Sequence, residues 1–132
     1  MLAKDQLGRR GEATAAQYLE RAGLRIVDRN WRCPAGEIDL VAVDGSTLVI
    51  VEVKTRSSDD FGQPLESITA SKLERLYVLA SQWARAHNQR FSGFRIDAVG
   101  VLDDGSGDPR IEHVRAVILP CSVGPTQCPW SG

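Results

Sequence analysis

The chain has 132 residues, 42% of them apolar and 25% charged, with a net charge of −1. That length supports one domain with a buried core, and the balance excludes both a disordered chain and a membrane-embedded one. Near-neutrality also argues against a protein that coats nucleic acid through clustered Lys and Arg, though not against an enzyme that keeps carboxylates in a cleft.

The start, Met1 to Gln6, has no apolar run of the secretory kind. The longest strongly apolar stretch, Leu48 to Val51, is far too short to span a bilayer. No membrane and a cytoplasmic location are therefore expected. The cysteines are Cys33, Cys121 and Cys128, an odd number without a CxxC pair, which fits neither a disulfide framework nor a structural zinc site.

Residues 6–22 read as a helix. Leu7, Gly11, Ala15, Leu19 and Ala22 recur at helical spacing, and Gly23 stands where a C-terminal glycine cap belongs. Residues 24–31 are a first strand, and Cys33-Pro34-Ala35-Gly36 is a turn. Residues 37–43 alternate with a period of two, which sets Ile38, Leu40 and Ala42 on one face. Residues 48–54 form a strand rich in β-branched residues, and Asp44-Gly45-Ser46 between the two signals a hairpin.

Residues 55–68 read as a loop. A second helix follows, capped by Ser71 with Glu74, or by Ser67 or Thr69. Its apolar face carries Leu73, Leu76, Tyr77, Ala80, Trp83, Ala84 and His87, and it should stop near Ser92-Gly93. Residues 94–102 are another strand, and residues 111–119 a strand or short helix. Residues 1–119 thus make a single domain, a mixed sheet flanked by helices, and residues 120–132 a patternless, disordered tail.

The chemistry gathers at the hairpin. Glu52 and Lys54 share a strand face, and Glu37 and Asp39 share one on the strand before. A turn at Asp44-Gly45 sets Asp39 diagonal to Glu52, and one at Gly45-Ser46 sets it directly opposite. In either register Asp39, Glu52 and Lys54 fall on one face, and a slip of one residue would separate them. Carboxylates so placed lie on the order of 5–8 Å apart at Cβ and repel. A divalent ion resolves the conflict, since Mg²⁺ favours one or two carboxylates plus water and phosphate oxygens. The backbone carbonyl of Val53 offers a further ligand, and Lys54 stands ready to orient water or stabilise phosphorane charge. Glu12 lies on the small-residue edge of the first helix. It either supports the metal site or pairs with Arg9 or Arg56.

Cations to hold phosphate are Arg9 and Arg10 on the first helix, Arg56 after the Glu52 strand, and Lys72 and Arg75 at the start of the second helix. Trp31 is a packing residue or a base-stacking one. His87 and His113 form no pair with a nucleophilic Ser or Cys.

These residues resemble a known family. Gly8-Arg9-Arg10-Gly11-Glu12, Asn30-Trp31-Arg32, Gly36-Glu37-Ile38-Asp39-Leu40 and Val51-Glu52-Val53-Lys54-Thr55-Arg56 stand in the order found in the YraN-like bacterial proteins. Phe61-Gly62, Pro64, Lys72, Arg95 and Asp97 extend the likeness, which covers residues 7–118. That family is similar to archaeal Holliday-junction resolvases within the PD-(D/E)xK nucleases. The resemblance implies a restriction-endonuclease-like three-layer fold, metal ligation by Asp39 and Glu52, a catalytic Lys54, and a supporting acid at Glu12. It implies a Mg²⁺- or Mn²⁺-dependent endonuclease acting on DNA, branched or damaged, and a homodimer. The alternatives are a binding module on the same fold that does not cut, and a scaffold that metal merely stabilises.

Overall fold

The computed structural model of the chain describes residues 2–57, 68–105 and 107–117, with side chains from Gly8 onward. Most of the expected 55–68 loop, the tail from Pro120, Cys121 and Cys128 lie outside these residues.

The elements run α1 (Leu2–Arg21), β1 (Arg25–Cys33), β2 (Gly36–Asp44), β3 (Thr47–Arg56), α2 (Ala70–Ala86), β4 (Gly93–Leu102) and β5 (Arg110–Val114). The five strands form one mixed sheet in sequential order. β3 and β4 are parallel and the other neighbouring pairs antiparallel. A parallel pair needs a crossover connection, and α2 supplies it.

Each face of the sheet carries its own core. On one, Ala15, Ala16 and Leu19 of α1 pack against Leu40, Val51 and Val99. On the other, Leu73, Leu79 and Trp83 of α2 pack against Val41, Ile50 and Ile96. The result is a three-layer α/β/α domain. Each large aliphatic side chain fully removed from water contributes about 1.5–3 kcal/mol, so both helices are held chiefly by this packing. Among the described residues, no helix is long and apolar enough to cross a membrane.

The β2–β3 hairpin adopts the second of the two expected registers. Asp44 pairs with Thr47 across Gly45-Ser46, and Gly45 takes a φ of 62°, which glycine accepts without a Cβ clash. Thr69 caps α2, its Oγ1 accepting from the Lys72 N–H at 3.2 Å. The last element is a strand.

Two expectations are corrected. α2 ends at Ala86, well before Ser92-Gly93, because Asn88 turns into the left-handed region with φ 52°. The Gln89 N–H then bonds the Ala84 carbonyl at 2.9 Å, closing the helix as a Schellman-type cap. Tyr77 is only half-buried and His87 exposed, while Leu79 joins the buried face. The second correction concerns β2. Ile38 does not share a face with Leu40 and Ala42: it packs with Val41 and Val43 in the α2 core, while they join the α1 core. On β1, Asn30 stands between the pairs Arg29↔Leu40 and Trp31↔Ile38 and has φ 51°. The strand pair turns over there, and Trp31 follows Ile38 to the α2 side.

Candidate active site

The site lies where β2 leaves β3. Their paired register runs from Asp44↔Thr47 to Leu40↔Val51, so Asp39 and Glu52 are the next residues across from each other. Continued one step further, the register would bring Ile38 to Val53, but Ile38 has turned to the α2 core. The Val53 N–H instead donates to Asp39 Oδ2 at 2.8 Å. A half-buried amide left over by the turnover is thus satisfied by a side chain, and that carboxylate is held at the strand edge.

Asp39 is half-buried. Burial, followed by the neighbouring negative charge of Glu52, pushes its carboxyl up from 3.8 to about 7. The Val53 N–H opposes the rise, and the charges of Glu12 and Glu37 add to it. An acid on the adjacent strand, one from α1 and one from the start of β2 therefore all act on Asp39. Glu37 is exposed and paired with Arg32 at 3.0 Å, so its charge is partly met.

Glu12 reaches this group because α1 lies close against β3. Gly11 is buried against Thr55 without room for a Cβ, and so delivers the next residue to the end of the strand. Arg10, expected on phosphate, forms a 2.8 Å ion pair with the nearly buried Asp103, whose own N–H donates to the Arg56 carbonyl at 2.8 Å. This clasp fastens α1 to the ends of β3 and β4. The spacing of the sequence held no sign of Asp103, because its partners are far away along the chain.

The remaining cations differ in their setting. Lys72 reaches from α2 to Glu52, Nζ to Oε1 at 3.0 Å. Lys54 is exposed at the end of β3, and Arg56 half-buried beyond it. Arg9 is exposed on α1, and Arg75 is exposed on α2 with its stem near Gly36. Among the described residues, no three His, Cys, Asp or Glu side chains are grouped to hold a metal ion. An ion here would rest on Asp39 and Glu52, with backbone and water oxygens completing its shell, which suits Mg²⁺ better than zinc.

A second polar cluster lies on the α1 side of the sheet. Asp97 is fully buried; its Oδ1 accepts from Arg95 Nε at 2.9 Å and from the Ala116 N–H at 2.9 Å, and its Oδ2 meets His113 Nε2 at 2.8 Å. His113 Nδ1 faces the Tyr18 hydroxyl at 3.1 Å, and Arg95 also reaches Asp44 at 3.0 Å. The chain ties α1, the β2 end, β4 and β5 together. The alternation of β5, with Ile111 and His113 on one face, was the available signal that His113 points inward.

The class is thus a three-layer α/β/α domain carrying neighbouring acids at a strand divergence, with a lysine two residues beyond the second acid. The chain belongs to the family described as "Uncharacterised protein family UPF0102", which matches residues 11–101. It is 61% identical over 117 residues to a UPF0102 protein of Arthrobacter sp. (strain FB24), covering 89% of this chain and 99% of that one. A Paenarthrobacter aurescens relative is 58% identical, covering 89% and 97%, and one from Renibacterium salmoninarum 56%, covering 89% and 99%.

Proposed function

We propose that the protein is a divalent-metal-dependent endonuclease of the restriction-endonuclease-like kind, hydrolysing phosphodiester bonds in branched or damaged DNA. The observation that carries this reading is the place of Asp39, one step past the last β2–β3 pair, where the Glu52 charge acts on it and the Val53 N–H fastens it at 2.8 Å. Repelling acids fixed in place have no structural benefit of their own, and the charges raising the Asp39 pKa are those of carboxylates. The donor set fits a hard cation.

Asp39 and Glu52 would hold Mg²⁺ or Mn²⁺ with the Val53 carbonyl, and Glu12 would support them. The ion supplies a Lewis acid for the phosphoryl group and lowers the pKa of nearby water. Lys54 stabilises the charge that develops on the phosphate as the scissile bond breaks. Arg9, Arg56 and Arg75 hold flanking backbone phosphates, with Arg10 contributing only from its exposed edge. Cutting both arms of a branched duplex calls for two copies, so a homodimer in the cytoplasm belongs to this reading.

The test is cleavage of a labelled four-way junction and a nicked duplex with Mg²⁺ or Mn²⁺. Turnover that disappears in Asp39→Asn and Glu52→Gln supports the reading. Turnover equal to wild type in Asp39→Asn removes Asp39 from the chemistry. A binding module is the second reading, favoured by the Lys72–Glu52 pair, which already neutralises one acid. It predicts DNA affinity that survives EDTA and no turnover on any substrate.

A further inference from the structure

Lys72 sits on the first turn of α2, at the end of the helix where backbone N–H groups disfavour a positive charge. That turn carries no acidic residue to offset it. The ammonium is met by Glu52, 3.0 Å away on β3. Among the described residues no cation is paired with Asp39, and the charges acting on it are those of Glu52, Glu12 and Glu37. One flexible cation from the opposite layer therefore neutralises half of an acid pair and leaves the other half in repulsion. The pair lies at the rim of the site, with the Lys72 side chain 38% exposed and that of Glu52 17% exposed.

We propose that Lys72 is a tethered counter-ion, displaced from Glu52 by a divalent cation and thereby freed to hold a phosphate of the substrate. The inference rests on the reading of Asp39 and Glu52 as a metal pair. An ammonium within 3.0 Å of the Glu52 oxygen occupies the space and the charge that a divalent ion would take. The divalent ion wins because it answers both acids at once, whereas Lys72 answers one. Its stem is flexible and its rim position half-open, so the ammonium can turn aside without being buried alone. A compact point charge beside a metal is suited to a phosphodiester oxygen. Metal and phosphate then bind with positive coupling, since each removes a competitor of the other.

The test is calorimetric titration of Mn²⁺ into the full chain at pH 8, without nucleic acid, for wild type, Lys72→Met and Lys72→Arg. Lys72→Met is expected to bind Mn²⁺ about three- to tenfold more tightly, as loss of a half-exposed ion pair would give. Lys72→Arg keeps the competitor and should stay within about twofold of wild type. With Ca²⁺ present, Lys72→Met should lose affinity for a short DNA duplex that it retains in EDTA. A folded Lys72→Met with unchanged or weaker Mn²⁺ affinity overturns the proposal and makes Lys72 a structural strut. A measurement on wild type guards against misfolding: the rate of Lys72 acetylation, followed by mass spectrometry, should rise severalfold on adding Mn²⁺, and a constant rate overturns the proposal. Mn²⁺ binding without cleavage of any DNA defeats the nuclease reading alone. No Mn²⁺ binding by wild type defeats both.

Discussion

The Val53 N–H and the Asp39 carboxylate are joined at 2.8 Å across the point where β2 and β3 part. The bond repairs the ladder that the turnover of Ile38 interrupts, and it fixes an acid beside Glu52. Asp39→Asn keeps an acceptor for Val53 while removing the charge. The variant is expected to fold at least as stably as wild type near neutral pH and to lose about 10²-fold or more in turnover. Urea denaturation and junction cleavage on one preparation check both halves.

The pH dependence of stability follows from the same acid. Its folded pKa of about 7 exceeds its unfolded value of 3.8, so the folded chain holds this proton more firmly. The group costs nothing below about pH 4, and stability falls as pH rises towards 7, then levels off. The slope between pH 5 and 8 should flatten in Asp39→Asn. Protons also compete with the cation, so the Tm increase caused by Mn²⁺ should be larger at pH 8 than at pH 5.5. An equal increase at both would count against Asp39 as a ligand.

Lys54→Met should lower kcat by roughly 10²–10⁴-fold while leaving Mn²⁺ affinity within a few-fold of wild type. Lys54 is exposed, so its loss leaves no buried charge behind and the fold is expected to stand. Single-turnover kinetics with calorimetry separate the two effects.

Gly11 and Gly8 should respond oppositely to alanine. A Cβ at Gly11 would fall on Thr55, 2.7 Å from its Cγ2. Gly11→Ala is expected to lose about 1–3 kcal/mol from overpacking and to shift Glu12 away from the acids. Gly8, with nothing within 4 Å of a Cβ, should gain about 0.5–1 kcal/mol as alanine through helix propensity. Thermal melts of the two variants decide this directly.

Removal of the Asp97 carboxylate would leave Arg95 and the nearly buried His113 without their shared partner. Asp97→Ala should therefore lose about 3–5 kcal/mol. Burial works to raise this carboxyl, but Arg95, the Ala116 N–H and His113 outweigh it and hold it below the usual carboxylate range. Its stabilising contribution is complete above the unfolded value of 3.8 and is lost as pH falls through the lower folded pKa. Acid unfolding should begin at higher pH in Asp97→Asn than in wild type, as circular dichroism would record.

Local pattern revealed the hairpin, the α2 face and the strand on each side of it, since periodicity and Asp-Gly turn chemistry act over a few residues. It missed Asn88 as a helix stop because asparagine adopts positive φ only in the context of a cap. It missed the reversal at Ile38 because that depends on Asn30 in the neighbouring strand. The β2–β3 register that leads up to Asp39 and Glu52 was legible because hairpin register is a short-range property. The Lys72–Glu52 and Asp97–His113 contacts were not, since each joins elements that only the folded sheet brings together.

β3 has a hydrogen-bonded neighbour on each side, β2 and the full-length parallel partner β4, while β1 and β5 form the margins of the sheet. Amide hydrogens of Leu48 to Val51, paired on both sides, should then exchange only through global unfolding, and those of β1 and β5 through cheaper fraying. Glu52 would hold its position while the borders breathe.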